Sequence, residues 1–412
     1  MLTTASKTAP TAAPNPDISP PETPQPDVPQ PDALQPDVPM VAGPPQAEAG
    51  AILTVDLDAI VANWRALGRR AMPAECAAVV KADGYGCGIA QVGAALARAG
   101  CRTFFVADLN EARRLRAVAK DATIYVLCGL LPGTGQAFAD LDVRPCIGGL
   151  IELAEWDAFV AQSGWRGSFA LHVDTGMNRL GITPDEAAAM AGRIRAERHG
   201  IALLMSHLAC ADTPQHPLNE RQIALFRDIR LLYRGIPASL ANSSGIFLGG
   251  PAHGDLVRPG AALYGVNPTP GHDNPMQPVL TLATRILLVR DVARGDTVGY
   301  GAGWTARKAC RIAVVPVGYA DGILRAGGAD DRLPGGEAIV GGKRCRFAGR
   351  ISMDLIAIDV SDVPETSARR GDSVTLIGDG IDIDDVAAAG KTIGYEVLTQ
   401  LSRRYHRIYR AT

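Results

Sequence analysis

Residues 78–86 read AVVKADGYG, a short apolar run that ends in Lys81. Burial disfavours an ammonium, so a lysine at the end of a buried strand calls for a chemical partner. Other strand-like segments end on equally unusual groups. DTGMNRLG carries Asp174 through Arg179, LLMSHLA reaches His207, LANSSG presents Asn242 and Ser243, and LVRPG ends at Arg258. Each has an ordinary explanation alone: a hydrogen-bonded core histidine, an arginine paired with a loop carboxylate, a serine capping a helix. In a barrel of parallel strands, however, chemistry gathers at the C-terminal strand ends, and five such ends carry these residues.

A lysine at the first strand end and anion-binding groups at the last two fit pyridoxal phosphate. That cofactor needs a lysine for a Schiff base, hydroxyl or backbone N–H donors for its phosphate, and a residue that sets the charge of its ring nitrogen. Ser243 and nearby amides serve the phosphate. Arg258 stays charged and only donates, so it keeps the ring nitrogen unprotonated and weakens the electron sink.

The elements that must position these groups are visible as a rhythm. Strand candidates recur at 77–82, 103–107, 123–128, 143–147, 168–174, 201–207, 238–241 and 256–258. Helix-like stretches lie at 89–99, 109–118, 150–163, 184–198 and 217–233, and the link between the seventh and eighth strands has a short or doubtful helix. The pattern predicts an α/β fold, a parallel (β/α)8 barrel over residues 50–280. Strand-like segments joined by Gly- and Asp-rich turns then predict a mainly β domain over 281–412, with helices near 383–390 and 394–403.

Residues 1–49 differ in kind. They hold 13 of the 29 prolines and the recurring pentapeptide QPDVP, QPDAL, QPDVP, which predicts a disordered extension of polyproline II character without a secretory pattern. The formal net charge of −2 gives no broad basic surface for nucleic acid or an anionic membrane. No stretch reaches the roughly 18 apolar residues of a membrane span. Eight dispersed cysteines without a CxxC pair fit reduced thiols and a cytoplasmic location, and no metal site is expected. Only six of the 41 basic residues are lysines, which draws further attention to Lys81.

AVVKADGYGCG (78–88) resembles the cofactor-lysine motif of the alanine racemases, and the resemblance runs through nearly all of 52–412. It continues in DTGMNRLG (174–181), SHLACAD (206–212), ANSSG (241–245), VRPGAALYG (257–265), VGYGAGW (298–304), VGYADG (317–322), GRISMD (349–354) and GYEV (394–397). It implies a (β/α)8 barrel followed by a β domain, paired head-to-tail as a homodimer, and interconversion of L- and D-alanine with pyridoxal 5′-phosphate. By that resemblance Lys81 holds the cofactor and is the base on one face, while Tyr300 of a second subunit is the opposite base. Two bases spare any one residue from crossing the substrate plane. Tyr85, Ser243 and Tyr395, with the amides of Gly260 and Ala261, bind the phosphate, and Asn242 is a further cofactor-binding residue. His207 lies against the ring or bonds toward Tyr300, and Arg258 meets the ring nitrogen. Arg179 contacts the cofactor's phenolic oxygen and the substrate carboxylate. Tyr319, Met353 and Asp354 shape the mouth from the second subunit.

Two positions depart from the family pattern. Many members carry a carbamylated lysine seven residues before the motif arginine, where this chain has His172. Arg179 is then oriented by the imidazole, an anion or water, and activity is independent of bicarbonate. Cys87 replaces a common histidine. Three competing readings are a serine racemase of the same mechanism, a pyridoxal-phosphate decarboxylase and a cofactor carrier. Small pockets separate a methylene or hydroxyl by only about 1–3 kcal/mol. Arg258 opposes the decarboxylase, and the β domain with Tyr300 and Tyr319 opposes the carrier.

Overall fold

A computed structural model describes residues 43–165, 167–191 and 200–411. Seven parallel strands follow one another in chain order: Ala78–Val79, Thr103–Val106, Thr123–Val126, Arg144–Ile147, Phe169–His172, Ile201–Met205 and Ala238–Ser239. Nearly every residue in them is buried, as expected where helices cover one face and neighbouring strands enclose the other. The eighth strand, Leu256–Val257, closes the ring. It pairs in parallel with Glu75–Cys76, immediately upstream of the first strand. On its other side Asp255 N–H donates to Ala238 O and Arg258 N–H to Ala241 O, at 2.7 and 2.9 Å. The expected barrel is therefore present, with very short first, seventh and eighth strands.

Helices Leu57–Ala71, Ile89–Arg98, Leu109–Arg116, Gly135–Leu141, Leu150–Ser163 and Pro217–Leu232 return the chain between strands. Two begin on aspartate caps: Asp56 Oδ1 accepts from Ala59 N–H and Asp108 Oδ1 from Glu111 N–H. The helix Gly135–Leu141 lies in a stretch the pattern leaves blank, because seven residues opening on a glycine carry little periodic signal. The helix expected over 184–198 is seen as Pro184–Ala191, and its remainder lies outside the described residues. The weak link before the eighth strand is a 3₁₀ turn, Ser244–Leu248, followed by the four-residue helix Gly250–His253.

The β domain contains a six-stranded sheet in the order Lys343–Arg346, Glu337–Val340, Ser373–Ile377, Leu280–Arg285, Ala51–Asp56 and His406–Arg410. Ala51–Asp56 thus departs from the expected barrel boundary at residue 50. It pairs antiparallel with Leu280–Arg285 and parallel with His406–Arg410, so the first described strand belongs to the β domain, and the chain then runs through the barrel and returns. A second sheet, Leu288–Val292, Cys310–Val315 and Ile356–Asp359, and the hairpin Thr297–Val298/Trp304–Thr305 complete it. Helices Ile383–Ala389 and Gly394–Gln400 follow, and the latter packs on the turn at Lys81. Of the expected proline-rich extension, 1–42 lies outside the described residues; 43–49 includes a turn in which Pro44 O accepts from His406 Nδ1 at 3.0 Å.

Candidate active site at the barrel mouth

Lys81 follows the first barrel strand and opens a turn of unusual hand. Ala82, Asp83, Gly84 and Tyr85 have φ of 53°, 55°, 64° and 50°, so four successive residues lie in the left-handed region. That region costs an L-residue about 1–2 kcal/mol, and non-glycine residues held there in a run mark a functional segment. Gly86 continues it at φ 76°, and a Cβ at that position would stand 2.2 Å from Leu398 O of the β domain. Lys81 is half-buried. Burial and then Arg179 push its pKa down, with Cys128 and Glu111 opposing.

The turn delivers Tyr85 to the loop that follows the eighth strand, beside the first. Its ring is 7% exposed and stacks on Tyr264 with centroids 4.7 Å apart, while Tyr395 of the β domain lies at 6.5 Å. Tyr264 is itself tied to the first strand through its hydroxyl, which donates to Val79 O at 3.2 Å. A Cβ on Gly260 would lie 2.3 Å from Tyr85 Oη, so only glycine lets this backbone approach the hydroxyl. Ser243 Oγ accepts from the amides of Gly260 and Ala262 at 2.9 and 3.2 Å. A tyrosine hydroxyl, a serine hydroxyl and backbone amides therefore gather around Gly260. Ala262, rather than Ala261, supplies the second amide at Ser243. Asn242 supports this loop: its Oδ1 accepts from Gly245 N–H at 2.9 Å and its Nδ2 faces Leu208 O at 3.5 Å.

Arg258 ends the eighth strand inside the barrel, 3% exposed. Its guanidinium donates to Ser239 Oγ, to Ser206 O at 2.5 Å and to Leu240 O at 3.4 Å, with Phe105 beneath it. Among the described residues no carboxylate pairs with it. Burial lowers its pKa to about 10, which leaves it charged at neutral pH. Its Nη2 faces His207 Nδ1 at 3.5 Å. Burial and then Arg258 push His207 down to about 3, so this imidazole is neutral. His172 is buried in the fifth strand and pushed down to about 4, first by burial and then by Arg258, with Asp174 opposing. Arg179 sits exposed beyond it, in a loop organised by Asp174, whose carboxylate accepts from Gly176, Met177 and Asn178 N–H at 2.8–2.9 Å. No hydrogen bond or ion pair among the described residues holds the Arg179 guanidinium.

The β-domain candidates form a separate exposed group. Tyr300 is 71% exposed at the tip of the Thr297–Val298/Trp304–Thr305 hairpin. Tyr319 and Met353 are 40% and 53% exposed and adjacent, since Tyr319 N–H donates to Ser352 O and Ala320 N–H to Met353 O. Asp354 and Asp321 share Arg404 at 2.8 and 3.3 Å. Among the described residues no hydrogen bond or ring contact joins Tyr300 to His207 within one chain. Sequence reasoning missed Tyr264, Ser239, Ala262 and the carboxylate of Glu111. Ser239, a buried hydroxyl at the end of an apolar strand, was the one with a readable signal.

Architecture and mouth together define a two-domain barrel enzyme whose residues fit a phosphate-bearing, lysine-linked cofactor. Residues 55–268 match the sequence model of the alanine racemase N-terminal domain and 279–409 that of the C-terminal domain. The chain belongs to the alanine racemase family. It is 54% identical over 360 residues to an alanine racemase of Methylobacterium nodulans, covering 87% of this chain and 96% of that one. The crystal structure of alanine racemase from Bartonella henselae with covalently bound pyridoxal phosphate superposes with a TM-score of 0.82 at 36% identity, over 87% of this chain and 99% of that one. Biosynthetic alanine racemase from Pseudomonas aeruginosa gives 0.80 at 38%, over 88% and 99%.

Proposed function

We propose that this chain interconverts L- and D-alanine with pyridoxal phosphate as cofactor, using Lys81 on one face of the substrate and Tyr300 of a second copy on the other. The observation that carries the cofactor reading is Arg258, a buried cation with neutral partners only, near the end of the strand whose loop brings Gly260 to Tyr85 and Ser243. Lys81 holds the cofactor, Tyr85, Ser243 and the Gly260 amide bind its phosphate with Tyr395 alongside, and Arg258 meets its ring nitrogen. When bound, the cofactor supplies an electron-withdrawing ring that acidifies the substrate's α-hydrogen.

The chain's own groups do the rest. Burial and Arg179 depress Lys81, which enlarges its neutral fraction and suits it to accept a proton at Nζ. Arg258 donates and cannot be deprotonated in this pH range, so it offers the ring no proton. With Arg258 Nη2 facing His207 Nδ1, the neutral imidazole keeps its proton on Nε2 and donates there. A hydrogen bond from that N–H, not a positive charge, assists the Tyr300 hydroxyl in its proton transfer. Arg179 receives the substrate carboxylate, and Tyr319, Met353 and Asp354 line the approach.

Exposure supports a dimer: Tyr300, Tyr319 and Met353 stand open on a single chain, and a head-to-tail partner would carry them to the other mouth. A cytoplasmic location accords with eight free cysteines. D-Alanine for peptidoglycan, or alanine catabolism, is the corresponding physiological role. The test is exchange of the α-proton in D2O with each enantiomer, alongside the visible band of the lysine-bound cofactor. Both enantiomers should exchange; a cofactor-bound protein that exchanges neither would overturn the reading.

A further inference from the structure

Glu111 and Glu152 occupy the same place in two βα units. Each is the third residue of its helix, Leu109–Arg116 or Leu150–Ser163. A glutamate there ordinarily reaches back to the amide of the capping residue; these two reach further, Glu152 while also engaging the amide of its own capping residue, Gly149. Glu111 Oε2 accepts from Ala107 N–H at 2.8 Å and its Oε1 from Asp83 N–H at 3.1 Å. Glu152 Oε2 accepts from Gly148 N–H at 2.8 Å and its Oε1 from Leu130 N–H at 2.5 Å. In both, one oxygen takes the amide four residues upstream and the other takes an amide from the preceding βα loop. Each carboxylate thereby staples two neighbouring loops at the barrel mouth.

The two staples hold different cargo. Leu130 belongs to a loop with none of the proposed ligand contacts. Asp83 lies midway through the left-handed turn between Lys81 and Tyr85. That turn is intrinsically unfavourable at Ala82, Asp83 and Tyr85, so its shape depends on outside bonds. The Asp83 side chain is already engaged, accepting from Ile89 N–H and pairing with Arg114 at 2.6 Å. Its backbone amide is left to Glu111, which is buried and donor-satisfied at both oxygens.

We propose that Glu111 is a positioning residue for Lys81: by holding the Asp83 amide it fixes the left-handed turn that sets the Lys81 amine and the Tyr85 hydroxyl for one ligand. Glu152 is the same staple without that cargo. The proposal rests on the reading of Lys81 as the cofactor lysine. A glutamine at position 111 keeps one acceptor and turns an NH2 toward the other amide, so only one of the two N–H groups remains satisfied.

The test compares Glu111→Gln with Glu152→Gln and the parent by pyridoxal phosphate titration of the apoprotein. It adds borohydride fixation with mapping of the labelled lysine, and apoprotein thermal melts. Both variants should lose similar thermal stability. Glu111→Gln should bind the cofactor about tenfold more weakly, the effect of one charge-assisted hydrogen bond, whereas Glu152→Gln should bind as the parent does. Parent-like binding in Glu111→Gln, or equal weakening in both, overturns the proposal alone. Label on a lysine other than Lys81 overturns the cofactor-lysine reading and this proposal with it. If Glu111→Gln is recovered unfolded, Glu111→Asp, which keeps the charge but shortens the reach, is read against the same two outcomes.

Discussion

Arg258 Nη2 lies 3.5 Å from His207 Nδ1, and the arginine that faces this imidazole has no carboxylate of its own among the described residues. Burial first, and then this arginine, hold the histidine neutral, and His172 shares the condition. Their folded pKa values are about 3 and about 4, below the ordinary histidine value. As pH falls, the unfolded chain therefore takes up these protons first. Stability due to the neutral rings is complete above about pH 6.5 and is lost on acidification toward about pH 4, at up to about 1.4 kcal/mol per histidine per pH unit. Apoprotein melts between about pH 7 and pH 5 should show a falling midpoint, and His172→Gln should flatten the fall. An unchanged slope in that variant would count against His172 as a source.

Gly260 and Tyr85 give a steric prediction. A methyl at Gly260 would stand 2.3 Å from Tyr85 Oη, and Tyr85 is pinned by its stack on Tyr264. Either the ring or the loop must move, an overpacking cost of about 1–3 kcal/mol. Gly260→Ala should fold but bind pyridoxal phosphate about tenfold more weakly in a titration of the apoprotein, since the displaced groups are the proposed phosphate ligands. Parent-like affinity would remove the Tyr85–Gly260 approach from the cofactor site.

Tyr300→Phe separates the two faces. Racemisation has an equilibrium constant of one, so kcat/KM must fall equally in both directions. The asymmetry appears in proton exchange: the variant should exchange the α-proton of one enantiomer through Lys81 and lose exchange of the other. The loss should be about 10²–10⁴-fold, the usual worth of a positioned acid–base group. Exchange reduced alike for both enantiomers would reject the two-base assignment.

The parts of this molecule legible in the sequence were those governed by local rules. Apolar runs ending in Lys81, His207 and Arg258 revealed the strands and pointed to the candidate site, because barrel strands expose only their ends to chemistry. Ala51–Asp56 was not legible as part of the β domain. Its alternating burial marks a half-buried strand, but its partners Leu280–Arg285 and His406–Arg410 lie far along the chain, and alternation does not name a partner. Tyr264 was hidden for the same reason, since its stack on Tyr85 exists only after the barrel closes. Glu111 was not legible either. Its bond to the Asp83 amide depends on two loops meeting, which spacing within one helix does not encode.

His172 yields the last prediction. A neutral, buried imidazole forms no carbamate, and Arg179, which it faces electrostatically, has no anion among the described residues to orient it. Racemisation by the parent should therefore be indifferent to added or depleted bicarbonate. Lysine at the same position would meet the burial and the Arg258 and Arg179 charges that already depress His172, so more of its amine would be neutral than in an exposed lysine. Carbon dioxide adds to a neutral amine, forming an N–C bond and releasing a proton, and the resulting carbamate would pair with Arg179. His172→Lys should thus acquire a bicarbonate-dependent decrease in KM for alanine, with kcat changing less because the proposed role of Arg179 is on the substrate carboxylate rather than on the α-proton. A parent that responds to bicarbonate, or a variant that does not, would break the link between position 172 and Arg179.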